Sequence, residues 1–218
     1  MHIIMKLVKT IAVTIVLTTC FLFILYYLLT HRNPVEISLE HLTNILSPGT
    51  YEGTGYYTPT GLYPNGLNTN LYRVISKSNS GLTVVTNIKA YDAKTNKFAY
   101  NAIREGRFDY KPSHGNEVFI NSLSYLGNND NFMQNADLSK GNFDNSIISS
   151  SHGHSTGKLE NRLSFSSTGS WYISKQNFIH IQHNITKISP TKFVETHSNK
   201  SMFEIPLITM TETYTKTS

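Results

Sequence analysis

Lys158 to Lys187 reads KLENRLSFSSTGSWYISKQNFIHIQHNITK, and along much of it apolar residues return at every second position. Leu159, Leu163 and Phe165 share one face, with Glu160, Arg162 and Ser164 on the other. Ile179, Ile181 and Ile185 share a face with His183. A period of two belongs to a strand with one buried face, whereas a helix would repeat about every 3.6 residues. This stretch therefore predicts antiparallel strands, broken at Thr168-Gly169.

The same pattern extends in both directions. Strands are expected near Thr50–Tyr57, Asn70–Lys77, Leu82–Asp92, Lys97–Phe108 and Asn116–Tyr125 in the first half. Lys158–Ser167, Ser170–Lys175, Asn177–Lys187, Lys192–His197 and Met202–Tyr214 follow in the second. Turn signals divide them, among them Pro64-Asn65-Gly66, Ser80-Gly81, His114-Gly115 and Ser189-Pro190. Many short strands at close spacing predict an all-β domain, either a closed antiparallel barrel or a β-sandwich. A barrel has the advantage of leaving no open edge.

One helix is expected before the strands. Ser38 can cap it, Leu39, Leu42, Ile45 and Leu46 recur at helical spacing, and Ser47-Pro48-Gly49 ends it. Between Gly127 and Gly157 the chain turns rich in Asn, Asp, Ser and Gly, which predicts a long polar loop.

The amino-terminal end is different in kind. Thr10 to Thr30, TIAVTIVLTTCFLFILYYLLT, carries no charge. As a helix it is long enough for a hydrocarbon layer of about 30 Å. It is longer than a signal-peptide core and no small-x-small cleavage site follows it, so an uncleaved signal anchor is expected. Lys6 and Lys9 precede the span and Arg32 follows it, a bias that keeps residues 1–9 cytoplasmic and exports the rest. The expected organisation is then a cytoplasmic 1–9, a transmembrane 10–30, a linker with a short helix at 31–48, and a barrel at 49–218. The barrel would lie in a periplasmic or extracellular space. Cys20, the single cysteine, falls inside the span, so the domain must be stable without disulfides.

The net charge of +5 overstates how basic the working domain is. Setting aside Lys6, Lys9 and Arg32 leaves 16 basic against 14 acidic residues. So weak a balance argues against a nucleic-acid partner, which would want a basic stripe.

Gly49-Thr50-Tyr51-Glu52-Gly53-Thr54-Gly55, followed by Tyr57-Thr58-Pro59-Thr60, resembles the opening of calycin-type barrels, the lipocalins and the nitrobindin-like haem proteins. In that superfamily a Gly-x-Trp near the first strand closes one barrel end; here Tyr51 stands at the Trp position, and Thr58 interrupts the Tyr-Pro-Thr. The resemblance implies a lipocalin-like cup for an apolar ligand. The nitrobindin-like branch places its haem histidine on the last strand, where this chain reads Ile208-Thr209-Met210-Thr211-Glu212-Thr213-Tyr214. Without that histidine no haem, and no other cofactor, is expected.

Four residues are candidates to line the cup. His183 faces inward if its isoleucine neighbours do, and Ile181 shares that face. Trp171, the only tryptophan, and Tyr51 suit a barrel end or a cavity wall. Gly153-His154-Ser155-Thr156-Gly157 matches a nucleophile elbow, but strand-like residues follow where the chemistry needs a helix. Glu195 and His197 are only two apart, and no catalytic set emerges. His152 and His154 could begin a metal site but lack a near third ligand, and no metal is expected. Arg104-Glu105 reads as solvated strand charge. The expected function is non-catalytic binding of a small apolar or lipid-like ligand at a membrane face. The alternative is an envelope scaffold that binds a protein partner through residues 127–157.

Overall fold

The computed structural model describes residues 2–30, 35–61, 63–109, 117–120, 149–171 and 176–218, with side chains described over 10–26, 35–61, 63–109, 153–169 and 179–218. The chain divides into two units, 1–33 and 34–218. The first is a single helix, α1 (His2–Thr30). In it Thr14, Thr18 and Thr19 donate their hydroxyls to the carbonyls of Thr10, Thr14 and Ile15 at 2.8–2.9 Å. Such back-bonding hides the polar atoms of an otherwise apolar helix. Among the described residues no helix is long and apolar enough to cross a membrane. The described side chains of α1 stop at Tyr26, so the anchor expected over Thr10–Thr30 stands on the sequence alone.

The second unit opens with α2 (Leu39–Ile45). Ser38 accepts the His41 N–H at 3.1 Å, and Leu46 returns its N–H to the Leu42 carbonyl at 2.8 Å. Leu42 and Ile45, with Ile37 and Leu46, join the core that includes Tyr51, Leu163, Ile185 and Phe193. Lys187 fastens the far side, its Nζ reaching the Asn44 carbonyl at 2.7 Å. Ser38→Ala is expected to lower unfolding free energy by about 1 kcal/mol, the usual cost of losing an N-cap; urea titration would read it.

Ten antiparallel strands follow: β1 (Gly49–Tyr57), β2 (Leu67–Lys77), β3 (Gly81–Asp92), β4 (Phe98–Asp109), β5 (Glu117–Ile120), β6 (Ser149–Leu159), β7 (Arg162–Trp171), β8 (Gln176–Ser189), β9 (Lys192–Ser201) and β10 (Pro206–Lys216). Each pairs with its chain neighbour, and β10 returns to β1, Gly53 opposite Tyr214, so the sheet closes into a barrel. That pairing decides for the barrel over the sandwich. It also gives the first-strand glycines a physical reason. A Cβ on Gly53 would stand 2.4 Å from the Thr213 carbonyl oxygen, and one on Gly55 2.6 Å from Thr69 Oγ1. Both positions lie where strands approach too closely for a side chain.

Several expected boundaries are corrected. Residues 149–157, read as part of a polar loop, belong to β6; residues 121–148 lie outside the described residues. Ser, His and Gly give β6 no apolar alternation to betray it. Its pairing with β7 depends instead on Gly153, where a Cβ would meet the Ser166 carbonyl oxygen at 2.1 Å. Lys158–Ser167 is not one strand, because the chain reverses at Glu160–Asn161 and leaves Leu159 63 % exposed while Leu163 and Phe165 are buried. The last strand starts at Pro206, after a turn in which Ser201 receives the Ile205 N–H on its hydroxyl at 3.2 Å. Of Asn116–Tyr125, only Glu117–Ile120 is described, as β5.

Candidate functional site

Half-way along the barrel, inward positions that would ordinarily carry apolar residues carry charge. On β2 the inward row reads Leu67, Thr69, Leu71, Arg73, Ile75. Arg73 stands opposite Thr86 of β3, and Thr86 opposite Arg104 of β4. Across the barrel, Glu195 of β9 pairs with Glu212 of β10, and His197 of β9 with His183 of β8. Strand alternation places Glu195 and His197, two residues apart, on one face. Arg73, Glu195 and Glu212 are at most 2 % exposed.

Two carboxylates directly opposite one another repel, and buried charge is costly unless paired. The arginines resolve both problems. Arg73 grips Glu195 as a fork, Nη1 to Oε1 at 2.6 Å and Nη2 to Oε2 at 2.7 Å, while its Nε donates to Thr86 Oγ1 at 2.8 Å. Its guanidinium lies 3.8 Å over the Tyr214 ring. Arg104 donates to Glu212 Oε2. Glu212 also accepts the Tyr57 hydroxyl at 2.6 Å and the Tyr214 hydroxyl at 2.7 Å. Longer contacts, Arg73 to Glu212 at 3.7 Å and Arg104 to Glu195 at 3.8 Å, join the two pairs into one network.

The titration behaviour follows from this packing. Burial works to raise both carboxyls, but the arginines overcome it: Arg73 holds Glu195 well below the usual range, and Arg104 holds Glu212 at about 2. Burial, with Glu212 close by, pushes the Tyr57 hydroxyl well up. Burial also lowers His197 to about 4, helped by His183 and Arg104.

The histidines complete the site. Their rings stack at 4.0 Å between centroids and 18° between planes. His197 Nε2 is 3.4 Å from Glu195 Oε2. His183, 3 % exposed, rests against Phe165 and Phe108, and neither of its ring nitrogens has a hydrogen-bond partner. Its Nε2 stands 3.5 Å from Glu195 Oε1. These groups, with Val84, Gly106 and Phe108, line a cavity of about 20 Å³. That is room for about one water-sized group.

Of the residues singled out from sequence, His183 lines this cavity, while Ile181 and Tyr51 do not. Ile181 is half-buried away from it. Tyr51 is buried with its ring edge-on to Phe193 at 5.1 Å, and its hydroxyl donates to the Ser47 carbonyl at 2.6 Å. Trp171 ends β7, and its side chain lies outside the described residues. Arg104, read as solvated, is 8 % exposed, because it sits on the inward row of β4. The elbow-like Ser155 is buried within β6 and donates its hydroxyl to the Val35 carbonyl, so it faces no substrate. His154 also lies in β6, and the side chain of His152 is outside the described residues. Arg73 and Glu212 were not singled out, and Glu195 and His197 were weighed only as a catalytic pair. The signal for them was present as polar residues at inward positions, such as Arg73 between Leu71 and Ile75.

No known protein-family model matches the chain, and no curated protein does. Among solved structures, it is similar to Rv2717c from M. tuberculosis, with a TM-score of 0.45 at 8 % identity, covering 84 % of this chain and 100 % of that one. The S-type phycobiliprotein lyase CPES from Guillardia theta gives 0.43 at 10 %, covering 83 % and 90 %. EF1p2_mFAP2b bound to DFHBI gives 0.37 at 14 %, covering 83 % and 100 %. The calycin resemblance is borne out only as far as an antiparallel barrel, which this chain's own strand register establishes.

Proposed function

We propose that this chain is a non-catalytic, ligand-binding barrel, held at a membrane by Thr10–Thr30 with the barrel outside the cytoplasm. The anchor and its direction rest on the uncharged span and on the lysines before it. Ligand binding rests on one observation above all: the barrel holds a small cavity lined by His183, a buried imidazole neither of whose ring nitrogens makes a hydrogen bond. A buried polar group without a partner costs about 1–3 kcal/mol, and a ligand that supplies the partner recovers it. The same arithmetic refines the ligand class. A purely apolar, lipid-like molecule would leave His183 unpaired and would press hydrocarbon against Arg73, Arg104 and Glu195. The reading is therefore a small molecule entering by a polar end group, with Val84 and Phe108 flanking that group.

Gly106 provides the test. It lines the cavity, and a Cβ there would meet nothing closer than 3.9 Å, so a side chain can start at this position, and Gly106→Val is chosen to narrow the space. Thermal-shift measurements on the full chain against short-chain alcohols, amides and carboxylates should show stabilisation by at least one class, lost in Gly106→Val. If both proteins respond alike, or neither responds and nothing co-purifies with the wild type, the cavity is not a binding site.

A further inference from the structure

We infer that His183, Glu195 and His197 form a site for a divalent transition-metal ion. The inference rests on reading the central cavity as a binding site and names an occupant for it. Each of the three residues offers one ligand atom, and these atoms lie within 4.8 Å of one another. All three side chains are buried, and they come from two adjacent strands whose pairing puts His183 opposite His197. Two imidazoles and one carboxylate are a donor set that suits zinc, iron, cobalt or nickel.

The distances support the chemistry. Donors about 2.1 Å from one ion at a tetrahedral angle are separated by about 3.4 Å. The Nε2 atoms of His183 and His197 stand 3.5 Å and 3.4 Å from different oxygens of Glu195, Oε1 and Oε2, so one ion would be held between both oxygens once the stacked rings turn toward it. The independent observation is His183 itself. It is 3 % exposed and lines the cavity, its Nδ1 has no hydrogen-bond partner, and its Nε2 has only the long contact to Glu195 Oε1 at 3.5 Å. An imidazole buried in this way gains, as a metal ligand, the close partner it otherwise lacks.

The surroundings set the terms of binding. Arg73 occupies one lone pair on each Glu195 oxygen, and a carboxylate has about four lone-pair sites, so outward pairs remain for an ion. The arginine then orients the carboxylate as an outer partner. Arg73, Arg104, Glu195 and Glu212 sum to zero charge, so a divalent ion arrives uncompensated. An anionic fourth ligand of water size, hydroxide, would offset part of that charge. The cavity beside the three donors has room for one such group.

The test uses the full chain in detergent, stripped with chelator and titrated with Co²⁺. One equivalent should bind and produce visible ligand-field bands, and X-ray absorption should show imidazole scattering around the cobalt. His183→Phe, whose ring would pack beside Phe108 and Phe165, should remain folded by circular dichroism and bind Co²⁺ at least about 100-fold more weakly. Glu195→Gln should weaken binding as well. The inference is overturned if wild type and His183→Phe bind alike, which would point to exposed histidines. It is equally overturned if the cobalt spectrum of the wild type lacks imidazole, a readout that depends on no variant folding. Failure here, with stabilisation by organic compounds still lost in Gly106→Val, would leave the binding cavity standing and remove only the metal.

Discussion

Glu212→Ala is expected to unfold the barrel or bring it to the edge of unfolding. The substitution strips Arg104 of its ion pair and leaves the hydroxyls of Tyr57 and Tyr214 without their acceptor, all in a buried site. Removing one partner of a buried pair costs about 3–5 kcal/mol, because the remaining charge has no solvent to turn to. Against a total stability of about 5–15 kcal/mol, that is a large share. Glu212→Gln keeps an acceptor for the tyrosines and should cost less. The double variant Arg104→Met/Glu212→Leu should regain much of the loss, since it removes both charges rather than stranding one. Urea unfolding of the four proteins gives the comparison. A Glu212→Ala protein within about 1 kcal/mol of wild type would mean that the network is not what holds this end of the core together.

The second large effect is acid lability of the metal-free protein. His197 falls from 6.5 to about 4 on folding, mainly through burial. Between those values the unfolded chain holds a proton that the folded chain does not, so acid favours unfolding. The stability lost from pH 6.5 down to 4 is about 3 kcal/mol for this residue. Glu212, lowered from 4.5 to about 2, acts in the same direction over the next interval. Its stabilisation is complete above the unfolded value and disappears as pH falls through the folded one. Glu195 adds to the same trend. Melting temperature should therefore fall steadily from neutral pH downward, and His197→Phe should flatten the upper part of the curve. A melting temperature independent of pH between 7 and 4 would overturn this account of the buried histidine.

Which strands form was largely readable. β2 and β3 alternate clearly enough that their apolar positions name the inward face, and Ser38 marks the start of α2. β6 escaped because Ser149 to Gly157 carries neither apolar alternation nor a bulky side chain, and its position is set by β5 and β7 on either side. The functional core escaped for a related reason. His183 was legible because three isoleucines share its face. Arg104, judged by residue type, looked like surface charge, and Glu195 with His197 was weighed only as an acid–base pair.

The sequence by itself determined that this is a chain of strands with an apolar helix before them, and which residues of its most clearly alternating strands face inward. Period-two patterning carries that information, because alternation is local to each strand. Only the tertiary structure decided that β10 closes on β1, and that Arg73 meets Glu195 and Arg104 meets Glu212 across separations of 122 and 108 residues. Alternation tells a side chain which way to point but not what it will find there. A buried charge is tolerable only through a partner, and here closure of the barrel supplies that partner.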